Sequence, residues 1–288
     1  MSSATSQTSQ PPGNPGSAQD PVAGTGTLFL DVLRSLDLIK RLAVTDFRGA
    51  YSGSALGVMW AVVQPLIMIT MYTLIFAVVL KVKVGARGGV TEFGLFLISG
   101  MIAFNTVAEG IRRSASVFVN EAHLLRRLPM PPAALPAARV TTVLMEQCIA
   151  LLIFLVLLCA FGHPPGPKAI FVIALIPLQV AISLGISTAI ACVTVMFRDL
   201  GALTDSLITI WFLGTPIFYP RDFLPPMLRQ IIDCNPMTPV VGAYRALLLH
   251  DKWPPMGDLL YVSVWAVFFL LMGNWVYGQV RGVIIDHV

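Results

Sequence analysis

Residues 169–197 read AIFVIALIPLQVAISLGISTAIACVTVMF, which is 29 consecutive residues without Asp, Glu, Lys or Arg. An α-helix rises about 1.5 Å per residue, so about 20 apolar residues cross the roughly 30 Å hydrocarbon core of a bilayer. Residues 49–80 and 259–280 are two further stretches without these charges. Three such helices are too many for the core of a soluble 288-residue domain, so the sequence indicates a polytopic membrane protein.

The composition supports a membrane protein and argues against several other classes. The chain is 56% hydrophobic and 12% charged, whereas a soluble domain carries about 25% charged residues. The net charge of +4 is modest, and basic residues in membrane proteins mark cytoplasmic helix ends, so we expect no nucleic-acid partner. The four cysteines form no C-x-x-C pair, so the sequence predicts no metal site.

The N-terminal part predicts a tail and an interface helix. Residues 1–27 are rich in Ser, Gln, Pro and Gly and predict a disordered cytoplasmic tail. In residues 28–48, apolar side chains share one helical face and charged ones the other. This segment is too charged to span, so we expect an amphipathic helix in the headgroup plane. A solvated helix that packs on another soluble domain is the alternative.

The apolar pattern predicts an all-α membrane protein with six transmembrane helices and one membrane domain over residues 28–288. The expected spans are residues 54–80, 93–117, 138–161, 169–197, 203–219 and 259–280. An even number of spans places both termini on one side. If that side is the cytoplasm, eleven of the 19 basic residues lie inside, including Arg126 and Arg127 in a short loop. We therefore expect a cytoplasmic (inner) membrane protein with both termini in the cytoplasm.

Three groups of motifs carry a family resemblance. The first is FRGAYSGSALG at residues 47–57, and the second is NEAHLLRR at residues 120–127. The third comprises FRDL at residues 197–200, TPIFYP at 215–220 and NPMTP at 235–239. In this order they resemble the ABC-2 type permeases of exporters for lipid-linked polysaccharides, the O-antigen, teichoic acid and capsule group. Phe104 stands where a Trp is common in that family, and the N-terminal tail is additional.

The resemblance implies a coupling region at residues 119–132, in which a short cytoplasmic helix docks into an ATPase subunit. Asn120 is expected to cap this helix, and its basic residues come late, as the helix dipole favours. The alternative is that these basic residues only anchor in lipid headgroups. The expected coupling residues are Asn120, Glu121, His123, Leu124, Leu125, Arg126 and Arg127.

The resemblance also implies short re-entrant helices in the extracytoplasmic region 220–255, between spans five and six. The apolar pieces of this region are too short to span, and Pro236 and Pro239 are expected to form the turn between two helices. An ordinary extracytoplasmic loop with surface helices is the alternative.

Aromatic side chains are candidates for a sugar conduit, since related exporters line theirs with an aromatic ring. Bilayer-interface belts use the same residue types, so the alternative is an ordinary belt or core role. The conduit candidates are Trp60, Tyr72, Phe104, Trp211, Phe218 and Tyr219.

Charged residues near the membrane need partners. Glu146 lies inside the third span and must pair or face water. A network of pairs at the inner leaflet is expected from Glu109, Arg113, Arg139, Arg198, Asp199 and Asp205. Arginines can also bind the pyrophosphate of a lipid carrier at an entrance, although the sequence does not select among them. The entrance candidates are Arg34, Arg41, Arg48, Arg112, Arg113 and Arg198.

The sequence contains no G-x-x-x-x-G-K-[ST] motif, so ATP hydrolysis falls to a separate chain. We expect a permease that is not an enzyme and holds no cofactor, while ATP and magnesium bind the partner. The resemblance implies a homodimer with two ATPase copies, a polyprenyl-linked polysaccharide as substrate, and contact with membrane lipids. An O-antigen and a cell-wall galactan are the two glycans considered. The alternative is an ABC-2 type exporter of a drug or small lipid. An enzyme that acts on polyprenyl phosphates is not expected, because the sequence lacks the clustered carboxylates that such an enzyme needs.

Overall fold

The structure, a computed structural model, describes residues 27–51, 89–127 and 130–287 and a few single positions between residues 59 and 75. Within these residues every regular element is a helix. The predicted tail and the first predicted span, residues 54–80, lie almost entirely outside the described residues.

From residue 90 onwards, the described helices follow one another with short connections. The N-terminal half contains α1 (Leu28–Arg34), α2 (Leu36–Tyr51), α3 (Val90–Ser114), α4 (Val117–Asn120), α5 (Ala122–Arg127) and α6 (Ala134–Ala160). The C-terminal half contains a 3-10 helix (Pro167–Leu175), α7 (Ile176–Met196), α8 (Asp199–Leu213), a 3-10 turn (Arg221–Phe223), α9 (Pro226–Asp233), α10 (Met237–Leu249) and α11 (Met256–His287).

Helix α3 is at the centre of the described bundle. It packs against α6, α7, α8 and α10, and its side chains are buried along most of its length. Phe93, Leu97 and Phe104 are each 1% exposed or less. A helix that is apolar on all sides is stable where neighbours surround it, and this one positions the charged and aromatic residues discussed below.

Helices α7 and α11 form the most extensive helix pair, and two glycines permit it. A methyl group added to Gly273 would lie 2.5 Å from the Gly185 carbonyl oxygen and 2.9 Å from its Cα. A Cβ on Gly185 would collide with the Phe269 backbone. Small residues let helix backbones approach closely, which is how helices associate within a bilayer.

The outer faces of α6 and α11 carry large apolar side chains that no described part of the chain covers. Leu152 and Val156 on α6 and Leu260, Leu271 and Trp275 on α11 are all more than 60% exposed. Such a surface suits contact with lipid tails and would cause aggregation in water. The all-helical membrane fold expected from the sequence is therefore confirmed.

Four helical segments of the described chain are long and apolar enough to cross a bilayer: Val90–Ser114, Ala134–Ala160, Pro167–Met196 and Met256–Gly282. They correspond to predicted spans two, three, four and six, with ends that differ by several residues. Span two begins before residue 93 because Gly89 precedes its first turn, where Glu92 complements the helix dipole. Span three begins before residue 138 because Pro136, which has no backbone N–H, is tolerated in the first turn of a helix.

The fifth predicted span, residues 203–219, has wrong bounds. Helix α8 starts earlier, at Asp199, and ends at Leu213, so it has 15 residues. Gly214 ends the helix, and Thr215 precedes a proline, a position that disfavours helical backbone. Residues 214–219 instead form a bent segment.

The interface segment is two helices, although one helix over residues 28–48 was predicted. Ser35 ends α1, and its hydroxyl donates to the carbonyl oxygen of Asp31 at 2.5 Å. Serine side chains that bond nearby backbone carbonyls compete with the helical ladder, which accounts for the break. Leu28, Ile39 and Ala43 are buried as the predicted apolar face requires. Phe29 and Leu36 of the same predicted face are exposed, because the break separates the two helices.

The region between α8 and α11 contains two short helices, α9 and α10, in the part predicted to be re-entrant. Pro236 lies in the turn between them. Pro239 does not: it lies in the first turn of α10, where its missing N–H costs no hydrogen bond.

Candidate functional site

The predicted coupling residues form a short, interrupted helical segment. Asn120 is the last residue of α4, and its N–H bonds the Ser116 carbonyl at 2.9 Å. The prediction that Asn120 caps the coupling helix is therefore wrong. Helix α5 begins at Ala122, two residues after Asn120, and the Leu124 N–H bonds the Glu121 carbonyl at 2.9 Å.

The exposed side of α5 is basic. A surface hollow of about 400 Å³ is lined by Ala122, His123, Arg126 and Arg127. The last three of these side chains are exposed. Positive charge of this kind favours a partner with an acidic surface, since complementary charges guide association.

Leu124 and Leu125 are oriented differently from the basic residues. Both are half-buried and pack on a small core that includes Val117 and Phe118. They were expected to supply apolar contact to a partner, but in this chain they mainly hold α5 against α4. The coupling segment thus has a packed apolar side and an exposed basic side.

Arg139 of α6 joins the coupling segment to the interface helix. Its guanidinium Nη2 donates to Glu121 Oε1 at 2.6 Å, and its Nη1 donates to Asp46 Oδ1 on α2. All three side chains are only about one-fifth exposed. Arg139 was expected to pair, but neither of these partners was predicted.

A second charged group, the ion-pair region, joins α3, α6 and α8. Arg113 donates to both carboxylate oxygens of Glu146, at 2.9 and 2.8 Å. Arg112 donates to Asp205 on α8 at 2.8 Å and to Glu109. Arg113 also lies 3.7 Å from Glu109. The predicted pairing of Glu146 is therefore present, and its partner is Arg113.

The remaining predicted charges do not join this region in the part of the chain that the structure describes. Arg198 precedes the first turn of α8 and Asp199 lies in it, and both are exposed. Among the entrance candidates, Arg112 and Arg113 are already bound to carboxylates. Four others are exposed along the interface helices and at the start of α8: Arg34, Arg41, Arg48 and Arg198.

The start of the interface segment is fixed to the last helix by buried polar groups. The Tyr277 hydroxyl donates to Asp31 Oδ2 at 2.9 Å, and Arg281 lies 3.6 Å from the same oxygen. The Leu28 N–H donates to Asn274 Oδ1 at 2.9 Å. Asp31 is 5% exposed, although the sequence places it on the polar face. The partners lie 246 residues apart, so no local pattern identifies them.

Three conduit candidates meet in one cluster, the aromatic region. The Phe104 ring lies 5.5 Å from Trp211 and 5.3 Å from Phe212, and Phe212 lies 5.0 Å from Phe218. Phe104 and Phe218 are buried and pack into the core of the described bundle. Packed aromatic pairs of this geometry stabilise a core beyond their area burial.

The remaining conduit candidates are Tyr219, Trp60 and Tyr72. Tyr219 donates its hydroxyl to the Leu213 carbonyl at 3.1 Å and so helps close the bent segment after α8. Trp60 is 39% exposed. Tyr72 lies outside the described residues.

Asn235 holds the aromatic region to the segment before α10. The Trp211 indole N–H donates to Asn235 Oδ1 at 2.8 Å. The Asn235 amide donates to Thr215 Oγ1 at 2.8 Å and to the Gly214 carbonyl at 3.1 Å. The TPIFYP and NPMTP motifs therefore meet at this amide, a contact that the sequence did not predict.

A buried polar cluster crosses the centre of the bundle and was also missed. Gln147 Nε2 donates to the Tyr244 hydroxyl at 2.6 Å, and that hydroxyl donates to Gln179 Oε1 at 2.6 Å. The Gln179 amide donates to the Ala103 carbonyl at 2.7 Å. Arg245, one residue further on α10, donates to the carbonyls of residues 216 and 217 at 2.7 and 2.8 Å. A polar side chain in a bilayer needs a hydrogen-bond partner. The sequence predicts that need but does not identify the partner.

Within residues that the structure describes, no group of three or more His, Cys, Asp and Glu side chains is placed to hold a metal ion. The site is instead a set of ion pairs, aromatic contacts and an exposed basic helix.

Comparison with known proteins gives a consistent result. The family model described as "ABC-2 type transporter" matches residues 37–249. The chain is 25% identical over 246 residues to the O-antigen export system permease protein RfbA of Myxococcus xanthus, covering 85% of this chain and 92% of that protein. It is 26% identical over 234 residues to a protein of the same name from Klebsiella pneumoniae, covering 81% of this chain and 86% of that one.

Proposed function

Because the chain belongs to the ABC-2 type transporter family, we propose that it is the membrane subunit of an exporter that moves a lipid-linked polysaccharide across the cytoplasmic membrane. Its relatives are named permease proteins, and the chain is a transport permease rather than an enzyme. The similarity to O-antigen export permeases over more than four-fifths of the chain is the observation that carries the polysaccharide assignment.

The energy for export comes from a separate ATPase subunit in this proposal. The exposed basic side of α5 is the surface that this subunit contacts, and the prolines at residues 131 and 132 follow it closely. The ion pairs around Arg139 and Arg113 then connect this surface to α2, α3, α6 and α8. A displacement of the coupling segment is thereby passed into the membrane part.

The assembly in this proposal contains two copies of the chain and two ATPase copies. Each chain crosses the membrane six times, with both termini in the cytoplasm and α9 and α10 re-entrant from the outer side. Helices α9 and α10 have 8 and 13 residues, and neither is long enough to span. The Phe104–Trp211–Phe218 cluster lies beside the bent segment that precedes them and is the part of the chain we assign to the glycan path.

The test is reconstitution of the chain with the ATPase encoded beside it. We expect the two proteins to copurify, and polyprenyl-linked glycan to stimulate ATP turnover where hydrophobic drugs and short-chain lipids do not. Stimulation by drugs or short-chain lipids alone would favour the drug or small-lipid exporter. Failure of the wild-type chain to bind any ATPase would overturn the assignment.

Arg127→Glu tests the coupling surface. Since Arg127 is exposed, reversing its charge leaves the fold intact and opposes an acidic partner surface, and we expect about tenfold lower glycan-stimulated turnover. Leu124→Asp also uncouples, but it removes packing within the chain, so it is the weaker test. The matched control is Lys252→Glu, which reverses an exposed charge in the loop before α11. Unchanged export by the Arg127 variant would remove the coupling assignment.

A further inference from the structure

One arginine, Arg139 of α6, binds two other elements of the chain, neither of which is its neighbour in the sequence. Arg139 lies 93 residues from Asp46 on α2 and 18 residues from Glu121 between α4 and α5. Both acidic partners bind the same guanidinium group. Arg139 therefore joins the coupling segment to the interface helix by charged hydrogen bonds, in addition to the apolar core on which both elements pack.

The chemistry of this bridge requires an arginine. A guanidinium group is planar and offers several N–H donors in a fixed fork, so it can bind two carboxylates at once in set directions. A lysine ammonium is a point charge on a flexible stem and does not fix both directions. The three side chains are about one-fifth exposed, and partial burial strengthens charged hydrogen bonds relative to those on an open surface.

The packing between α2 and α6 near the bridge involves small side chains, so we expect the bridge to contribute to the relative position of these two helices. The face of α6 that meets α2 is formed by small side chains: Ala134, Ala137 and Ala138, with Ile39 of α2 against them. Alanines form shallow ridges, so they resist sliding of a neighbouring helix less than bulky side chains do. The Thr142 hydroxyl on α6 also donates to the Ala43 carbonyl on α2, at 3.3 Å.

The two ends of the interface segment are held differently. Helix α1 is fixed to α11 through the buried Asp31 and Tyr277. The latter half of α2 is fixed to α6 and to the coupling segment through Arg139. The start of the interface segment is thus held by α11, and its end is held by the helix whose Arg139 also binds the coupling segment.

We propose that Arg139 is a positioning residue that passes displacement of the coupling segment to α2, the helix that carries the exposed entrance candidates Arg41 and Arg48. The inference rests on the proposed function, since it assumes that an ATPase acts on α5. It assigns a role to the Asp46–Arg139–Glu121 bridge that the family match alone does not assign.

The first experiment compares Arg139→Gln, Arg139→Lys and the control Lys252→Gln in the reconstituted complex with its ATPase. We expect the Gln variant to assemble and hydrolyse ATP at the basal rate, with glycan export per ATP lower by about threefold to thirtyfold. The Lys variant should recover only part of this loss, and the control should match the wild type. Export per ATP equal to wild type in Arg139→Gln would overturn the inference, provided that the wild-type complex itself is coupled.

The second experiment needs no ATPase and covers the case in which Arg139→Gln does not assemble with its partner. Spin labels at positions 40 on α2 and 123 on α5, both exposed, report the distance between the two elements in the full chain in lipid nanodiscs. In a background without native cysteines, we expect one narrow distance distribution, which broadens in Arg139→Gln and in Asp46→Asn but not in Lys252→Gln. An unchanged distribution in both bridge variants would show that packing alone sets the position and would overturn the inference.

If the wild-type chain binds no ATPase but the labels respond as expected, the proposed function fails and the bridge stands. If the wild-type complex is coupled but both bridge variants behave as wild type, the bridge fails and the function stands. The two failures are therefore distinguishable.

Discussion

The aromatic region and the ion-pair region join the same two helices at different levels by different interactions. Phe104 of α3 packs against Trp211 of α8 at one level. Two turns further along α3, Arg112 binds Asp205, which precedes Trp211 on α8. The first contact is buried and apolar, whereas both side chains of the second are more than one-third exposed. The pair of helices is thus fixed at one level and adjustable at the other.

This difference matters for a protein that must change shape. Interlocked rings resist relative motion because any shift opens a void that neighbouring atoms cannot fill. Ion pairs at the edge of the bundle exchange partners at low cost, because water and neighbouring charges replace what is lost. We expect α3 and α8 to pivot about the aromatic region while the ion pairs rearrange.

The largest expected effect comes from Phe104→Ala, which removes a buried ring from the aromatic region between α3 and α8. Removing a fully buried ring creates a cavity and costs about 3 kcal/mol of unfolding free energy. The loss should be the same at low and high salt, because no charge is involved. Thermal unfolding in detergent measures it, with Phe197→Ala, a ring that is 65% exposed, as the control. Equal melting temperatures for the two variants would show that the aromatic region does not hold these helices.

A smaller effect is expected from Arg113→Gln, which tests the most buried pair of the charged level. Glu146 is 19% exposed and loses both of its guanidinium hydrogen bonds in this variant. Leaving a partly buried carboxylate without its partner lowers the free energy of unfolding by about 2 kcal/mol. The double variant Arg113→Gln/Glu146→Gln should recover most of that loss, because no unpaired charge remains. Full additivity of the two single changes in denaturant unfolding would contradict a direct pair.

The sequence was sufficient to predict which stretches are apolar helices and which charged residues need partners. Glu146 is an example: a carboxylate inside an apolar run requires a cation, and Arg113 supplies it. The sequence was also sufficient to select Phe104, Trp211 and Phe218, which the structure places in one cluster.

The partners and the irregular backbone could not be predicted in the same way. Gln147, Gln179 and Tyr244 lie in largely apolar stretches, and their mutual contacts depend on how α6, α7 and α10 pack. The early end of α8 had a local signal in Thr215 before a proline, but the apolar run through residue 219 outweighed it. Hydropathy reports burial in lipid or protein and does not by itself mark where a helix stops.

The smallest expected effect comes from Arg112→Gln, which removes the exposed ion pair between α3 and α8 and a second pair within α3. Exposed pairs contribute less than about 1 kcal/mol, and salt reduces their contribution further. We therefore expect a small fall in melting temperature at low salt and almost none at about 1 M salt, where the Debye length is about 3 Å. The Phe104→Ala loss should not change between these conditions, so the two variants measured side by side separate the levels. A salt-independent loss of several kcal/mol in Arg112→Gln would mean that the charged level is as fixed as the aromatic one, and the pivot would then have to lie elsewhere in the bundle.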